Sequence, residues 1–158
     1  MGYTHYWSVT NKPIKNQVIN EELYQRGLAY CRRVIKHYQS TVPKGSDERL
    51  SGYSAHASNV YMGIEFNGCR GNDHETFVLA PHLLMETGGF CKTAHKPYDI
   101  VVVACLIIMS SVLSGVFQFE SDGLTQDMLD AMILIENAIG NDQEFFKIPN
   151  TIDFKRGA

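Results

Sequence analysis

The stretch "IVVVACLIIM", from Ile100 to Met109, is an unbroken apolar run. A bilayer crossing needs roughly 20 such residues, so this run is expected to be buried in protein, with the rest of the chain laid around it. Pro97 just ahead of it suits the first turn of a helix. The length of the segment, about Pro97 to Leu113, favours helix over the strand that its β-branched residues would otherwise suit.

Strands and helices alternate around this centre. Tyr3 to Val9 reads as a first strand, with Tyr3, His5 and Trp7 on one face. Asn20 is expected to cap a helix reaching about Gln39, whose buried stripe is Leu23, Cys31, Val34, Ile35 and Tyr38. Residues 40–57 form a polar loop of a length that is often functional. Residues 59–67 and 74–80 read as two strands joined by a glycine-bearing turn, hence a hairpin. A fourth strand is expected at 90–94 and a fifth at 116–120. The helix from Leu124 to Ile139 is expected to bury Met128, Leu129, Met132, Ile133 and Ile139 and to stop at Gly140. The tail from Asn141 reads as irregular.

The order β-α-β-β-β-α-β-α predicts one α+β domain, residues 1–158, with a mixed sheet of about five strands packed by helices. Strand–helix–strand connections give parallel neighbours and hairpins give antiparallel ones. On that rule the third strand alone is reversed. Trp7, Asn67, Asp73 to Glu75, Ala94 to Lys96 and Asp122 would then share one rim with the N-termini of the first two helices. Ligands favour such rims, and helix N-termini favour anions.

Composition narrows the ligand. The formal net charge is −3, against the basic face that general nucleic-acid binding needs. It leaves room for a small anion held by local cations. No apolar segment follows Met1 as in a signal peptide, and no membrane association is expected. The four cysteines, Cys31, Cys69, Cys91 and Cys105, form no C-x-x-C pair. Cys31 and Cys105 sit in apolar patterns and are expected in the core.

Two stretches carry the dense polar residues. In "NGCRGNDHETF", His74 is flanked by Asp73 and Glu75, a weak candidate acid–base group with a carboxylate partner on either side. Neighbours on a strand face opposite ways, so these residues cannot converge on one ion, and no metal is expected. The competing reading is a turn whose Asn and Asp side chains bond the backbone. In "FCKTAHKPYD", Lys92, Thr93, His95 and Lys96 precede a helix start, an arrangement that suits an anion held between cations and helix amides. Trp7 or Tyr98 would stack on a ring, and Asn67, Asp73 and Asp122 would read polar edges. His5 or His95 could also pair with a carboxylate. No P-loop, G-x-G-x-x-G or G-x-S-x-G is present.

Taken together, "MGYTHYW", "NG…NDHETF" and "FCKTAHKPYDIVV" followed by "SDG" resemble a family of small, mostly uncharacterised proteins encoded by tailed bacteriophages. The resemblance spans most of the chain. Members often carry Arg where His95 stands, so a contact with an anion there would depend on pH in this chain. The resemblance implies an accessory protein of the host bacterial cytoplasm, in the manner of small phage proteins that sequester host nucleotide signals and blunt defence.

The expectation is a binding protein for a small anionic, nucleotide-like ligand, without a cofactor, acting as a homo-oligomer. The alternatives are a hydrolase or transferase on such a ligand, with His74 as acid–base, and an inhibitor of a host protein.

Overall fold

The apolar run forms a helix. The computed structural model describes residues 3–10, 17–56, 62–140, 142 and 145. In it α3 (Asp99–Val112) is buried at every position from Val101 to Val112. Two long helices cover it: α1 (Gln17–Thr41) and α4 (Thr125–Ile139) pack against α3 and against each other. The α1–α3 approach is close because Gly27 has no side chain; a Cβ there would lie 2.6 Å from Met109 Sδ. Asn20 is inside α1 and not its cap, because the helix already runs at Gln17. In α4 the buried stripe is Met128, Ala131, Leu134, Ile135 and Ile139, while Leu129 and Ile133 are exposed, contrary to the amphipathic reading. They stand beside the stripe that meets α3 and α1 rather than in it. Gly140 ends the helix as expected, at a φ of 61°.

Among the described residues six short strands divide into two antiparallel sheets. β1 (Thr4–Val9) lies between β5 (Gly88–Lys92) and β6 (Phe117–Ser121). β3 (Ile64–Gly68) lies between β2 (Leu50–Ser51) and β4 (Phe77–Leu79). The hairpin of β3 and β4 is the one expected, and residues 40–57 contain β2 and the one-turn α2 (Tyr53–His56). The start of the expected second strand, 59–61, and nearly all of the tail lie outside the described residues.

The chain is α+β, but the mixed sheet and its strand directions are corrected. Both β5 and β6 run antiparallel to β1. The crossover rule holds only for strands that become neighbours in one sheet. Here the strand after α1 joins a different sheet, and β1 takes its partners from late in the chain. The expected rim therefore splits. The C-terminal ends of β5 and β6 flank the start of β1, while Trp7 lies opposite Gly89 near the other end. Among the described residues no helix is long and apolar enough to cross a membrane.

Candidate functional site

The two sheets meet along a seam between β4 and β5, tied at both ends. At one end Glu75 N–H donates to the Lys92 carbonyl (3.1 Å) and Lys92 N–H donates to Glu75 Oε2 (2.7 Å). At the other end the buried Glu86 carboxylate lies between the strands. Oε2 accepts from Ala80 N–H (2.7 Å), and Oε1 accepts from Gly88 N–H (3.0 Å) and from the Trp7 indole (3.2 Å). A cleft of about 370 Å³ opens between the ties, with Trp7, Glu86 and Gly89 beneath and Thr76, Val78 and Phe90 on its walls.

Strand alternation gives this seam an exposed face. His74, Thr76 and Val78 are exposed before and along β4, and Phe90 and Lys92 along β5. Tyr6 of β1 lies opposite Phe90, with ring centroids 6.5 Å apart. His74 and Lys92 mark one end and the cleft marks the other. His74 Nδ1 lies 2.8 Å from the Lys92 carbonyl oxygen. A carbonyl only accepts, so Nδ1 donates to it and the ring is fixed in orientation.

A second cluster gathers where β5 and β6 flank the start of β1. His5 bonds Asp99 Oδ1 through Nε2 (2.5 Å) and Ser121 Oγ through Nδ1 (2.7 Å), and Thr93 Oγ1 donates to the same Asp99 oxygen (2.5 Å). The connectivity is that of a Ser-His-Asp triad, but His5, Asp99 and Ser121 are all buried. No substrate carbonyl reaches Ser121 Oγ, so the network is a core fastener joining β1, β6 and the start of α3.

Outside this network, Tyr3 donates to Asp127 Oδ2, and His95 Nε2 lies 3.2 Å from Asp127 Oδ1. The Tyr3 and His95 rings stack at 4.4 Å. Burial raises the Tyr3 phenol far above its ordinary range, and the bond to Asp127 adds to the effect. Burial alone would raise the Asp127 carboxyl too. Hydrogen bonds from Tyr3 and from Leu124 N–H, with His95 beside it, outweigh burial and hold Asp127 below the usual carboxylate range. Ala94 and His95 take left-handed φ angles of 51° and 55°. Two adjacent non-glycine residues in that region mark a strained turn held by its surroundings.

The structure thus sorts the expected site residues. Trp7, His74 and Lys92 join the seam. His95 joins the Tyr3–Asp127 cluster, and Lys96 is half-buried beside it in sequence. The others are engaged in the fold. Thr93 is buried on Asp99. Tyr98 is buried, its hydroxyl donating to the Glu75 carbonyl (2.6 Å), so it cannot stack on a ligand. Asn67 accepts from Gly68 and His74 N–H and donates to the His74 carbonyl and to Thr76 Oγ1. Asp73 accepts from Gly71 N–H (3.2 Å), and Asp122 from Thr4 N–H (3.2 Å). These are the backbone-bonding turn residues of the competing reading. The Glu75 carboxylate holds Lys92 N–H, so His74 is oriented by a carbonyl and not by either flanking carboxylate.

Nor does the expected helix N-terminus offer itself to an anion. Asp99 is buried in the first turn of α3, and Asp127 accepts from Leu124 N–H at the start of α4 (2.9 Å). The starts of α3 and α4 thus have their own carboxylates, while α1 has no acidic residue in its first turn. Sequence reasoning missed Glu86, Phe90 and Asp127. Glu86 carries no signal, being an isolated carboxylate in a Pro- and Gly-bounded turn. Phe90 had one, since it lies two residues before Lys92 and shares its strand face. Among the described residues no three His, Cys, Asp or Glu side chains form a metal-holding group. No protein-family model matches the chain, and no curated protein or solved structure is significantly similar to it.

Proposed function

We propose that the β4–β5 seam binds a small anionic, nucleotide-like ligand, with the anion at Lys92 and His74 and a flat ring in the cleft. One observation carries this reading: the exposed Lys92 ammonium, with the His74 ring beside it, and an aromatic cleft lie end to end on one strand face. Phe90 and Lys92 are two residues apart on β5, about 6.6 Å at roughly 3.3 Å per residue, which suits a ligand with a ring at one end and a charge at the other. The cleft is within the usual size of small-molecule sites. In the phage setting that the sequence resembles, the use would be sequestration of a host nucleotide signal in the bacterial cytoplasm, by a homo-oligomer.

The test is native mass spectrometry of protein purified from a bacterial host, followed by denaturation and analysis of the released small molecules. A stoichiometric, intact nucleotide that Lys92→Ala fails to retain supports the reading. An apo mass that no nucleotide panel shifts would overturn it, and would leave inhibition of a host protein as the function to pursue.

Turnover of such a ligand is the second reading, favoured by His74. His74 is exposed and its ring is held by Nδ1 donating to the Lys92 carbonyl, a fixed orientation that a general base requires. Recovery of the nucleotide as cleaved product, abolished in His74→Ala, would select it over sequestration.

A further inference from the structure

The seam has a backbone feature that deepens this reading and rests on it. Thr4 exchanges its backbone bonds with Asp122, and Lys92 exchanges its own with Glu75. The pair Thr4–Lys92 is therefore not bonded across β1 and β5. By alternation neither is Tyr6–Phe90. The N–H and C=O of Phe90 point out of that sheet, towards β4, and so does the C=O of Gly88.

The same argument applies to the other wall. Glu65 N–H is taken by Ser54 Oγ (2.8 Å) and Cys69 N–H by the Arg49 carbonyl (3.2 Å), both away from β4. Ile64 and Phe66 must then face β4 and bond Leu79 and Phe77. The N–H and C=O of Val78, and the C=O of Thr76, are left pointing towards β5. The Glu86 tie brings Ala80 level with Gly88 and so Val78 near Phe90, and among the described residues these inward groups have no protein partner.

In a strand, the C=O of one residue and the N–H of the residue two along lie side by side on the same edge. The cleft thus has an acceptor–donor pair on each wall: Gly88 C=O with Phe90 N–H, and Thr76 C=O with Val78 N–H. Side chains leave the first pair accessible, because Gly88 has none. A planar ring entering the cleft would meet these pairs with its edge, and its charged substituent would extend towards Lys92 and His74.

We infer that the open centre of the seam reads the hydrogen-bonding edge of a nucleobase, one with an adjacent donor and acceptor, through the backbone of Phe90 or Val78. Backbone pairs of this kind recognise adjacent donor and acceptor atoms whatever the side chains are, so the selectivity lies in the edge of the ring and not in its size.

The experiment is titration of the full ¹⁵N-labelled chain with four probes, followed by amide shifts and by calorimetry. The probes are adenosine 5′-monophosphate, its N6,N6-dimethyl analogue, guanosine 5′-monophosphate and ribose 5-phosphate. The expected result is that a natural nucleotide moves the Val78 or Phe90 amide. Adenosine monophosphate should bind at least tenfold tighter than its dimethyl analogue, or guanosine monophosphate at least tenfold tighter than ribose 5-phosphate. Equal binding of ribose 5-phosphate and both nucleotides, with shifts confined to Lys92 and His74, would overturn the ring-reading inference and leave the anion site standing. No binding of any probe would overturn both. Phe90→Pro, which deletes the outward N–H on an edge strand, should lose the ring preference, whereas Phe90→Ala, which removes the aromatic wall and weakens binding of every ring-bearing probe, should keep the tenfold ratio between adenosine monophosphate and its dimethyl analogue or lose it less than the proline variant does. Should the proline variant not fold, the amide shifts of the unaltered chain decide the matter alone.

Discussion

Glu75 and Lys92 bond each other twice, backbone to backbone at 3.1 Å and Lys92 N–H to the Glu75 carboxylate at 2.7 Å, and these bonds help join two otherwise separate sheets. The Lys92 side chain takes no part in them and stays exposed. Lys92→Ala is therefore expected to change stability by less than about 0.5 kcal/mol, while Glu75→Ala leaves Lys92 N–H unpaired and costs about 1–2 kcal/mol. Urea unfolding of both variants checks this. Equal losses would show that the tie does not depend on the carboxylate.

Glu86 is the opposite tie, buried and accepting from Trp7, Ala80 and Gly88. Glu86→Ala strands three donors and is expected to cost about 3 kcal/mol or more, with a change in Trp7 fluorescence as the indole loses its acceptor. A melting temperature within a degree or two of the parent would show that water replaces the carboxylate without loss.

The His5 network is expected to behave as structure and not as chemistry. His5→Ala removes a buried ring bonded to Asp99 and Ser121 and is expected to cost about 3 kcal/mol or more. Ser121→Ala, a smaller deletion, should leave ligand binding intact. Loss of binding in a well-folded Ser121→Ala variant would contradict the fastener role.

Asp127 sets a pH dependence. Its carboxyl is held below the usual range in the folded chain. Its contribution is therefore full above the unfolded value of about 3.9 and is lost as pH falls through the lower folded value. Tyr3→Phe removes one of the bonds responsible. The gap in melting temperature between the parent and Tyr3→Phe should be wider at pH 6 than at pH 2.5. A gap of constant width would show that Tyr3 acts through packing alone.

Cys91 should be inert. Burial and the neighbouring Glu75 carboxylate push its thiol up to about 12, so its contribution is full below the unfolded value of about 8.5 and is lost as pH rises from there through the folded value. In the native protein at pH 8, iodoacetamide should modify the half-exposed Cys69 well before Cys91, as read by peptide mass spectrometry. Faster labelling of Cys91 would mean that the seam opens readily.

Much of this architecture was readable in advance. The run from Ile100 to Met109 could only be buried, the Gly68–Gly71 region could only turn, and the spacing from Met128 to Ile139 could only be helical, because these are local properties of side chains and backbone. Cys31 and Cys105 fell into the core for the same reason. Periodicity was less decisive at the margins of a face: Leu129 and Ile133 fitted the α4 pattern and are nonetheless exposed.

Pairing was not local. Whether β1 would take its neighbours from early or late in the chain depends on which strands can cover α3 together, a sum over many distant contacts that no short motif encodes. That choice reversed the expected directions of two strands and divided the expected rim. It buried Thr93 and Tyr98, tied down Asn67 and Asp73, and brought His74, Phe90 and Lys92 onto one face. The residue types capable of binding were present in the sequence. Which of them remain free to bind was settled by the backbone hydrogen bonds of the fold, since a polar side chain drawn into satisfying buried N–H and C=O groups is no longer available to a ligand.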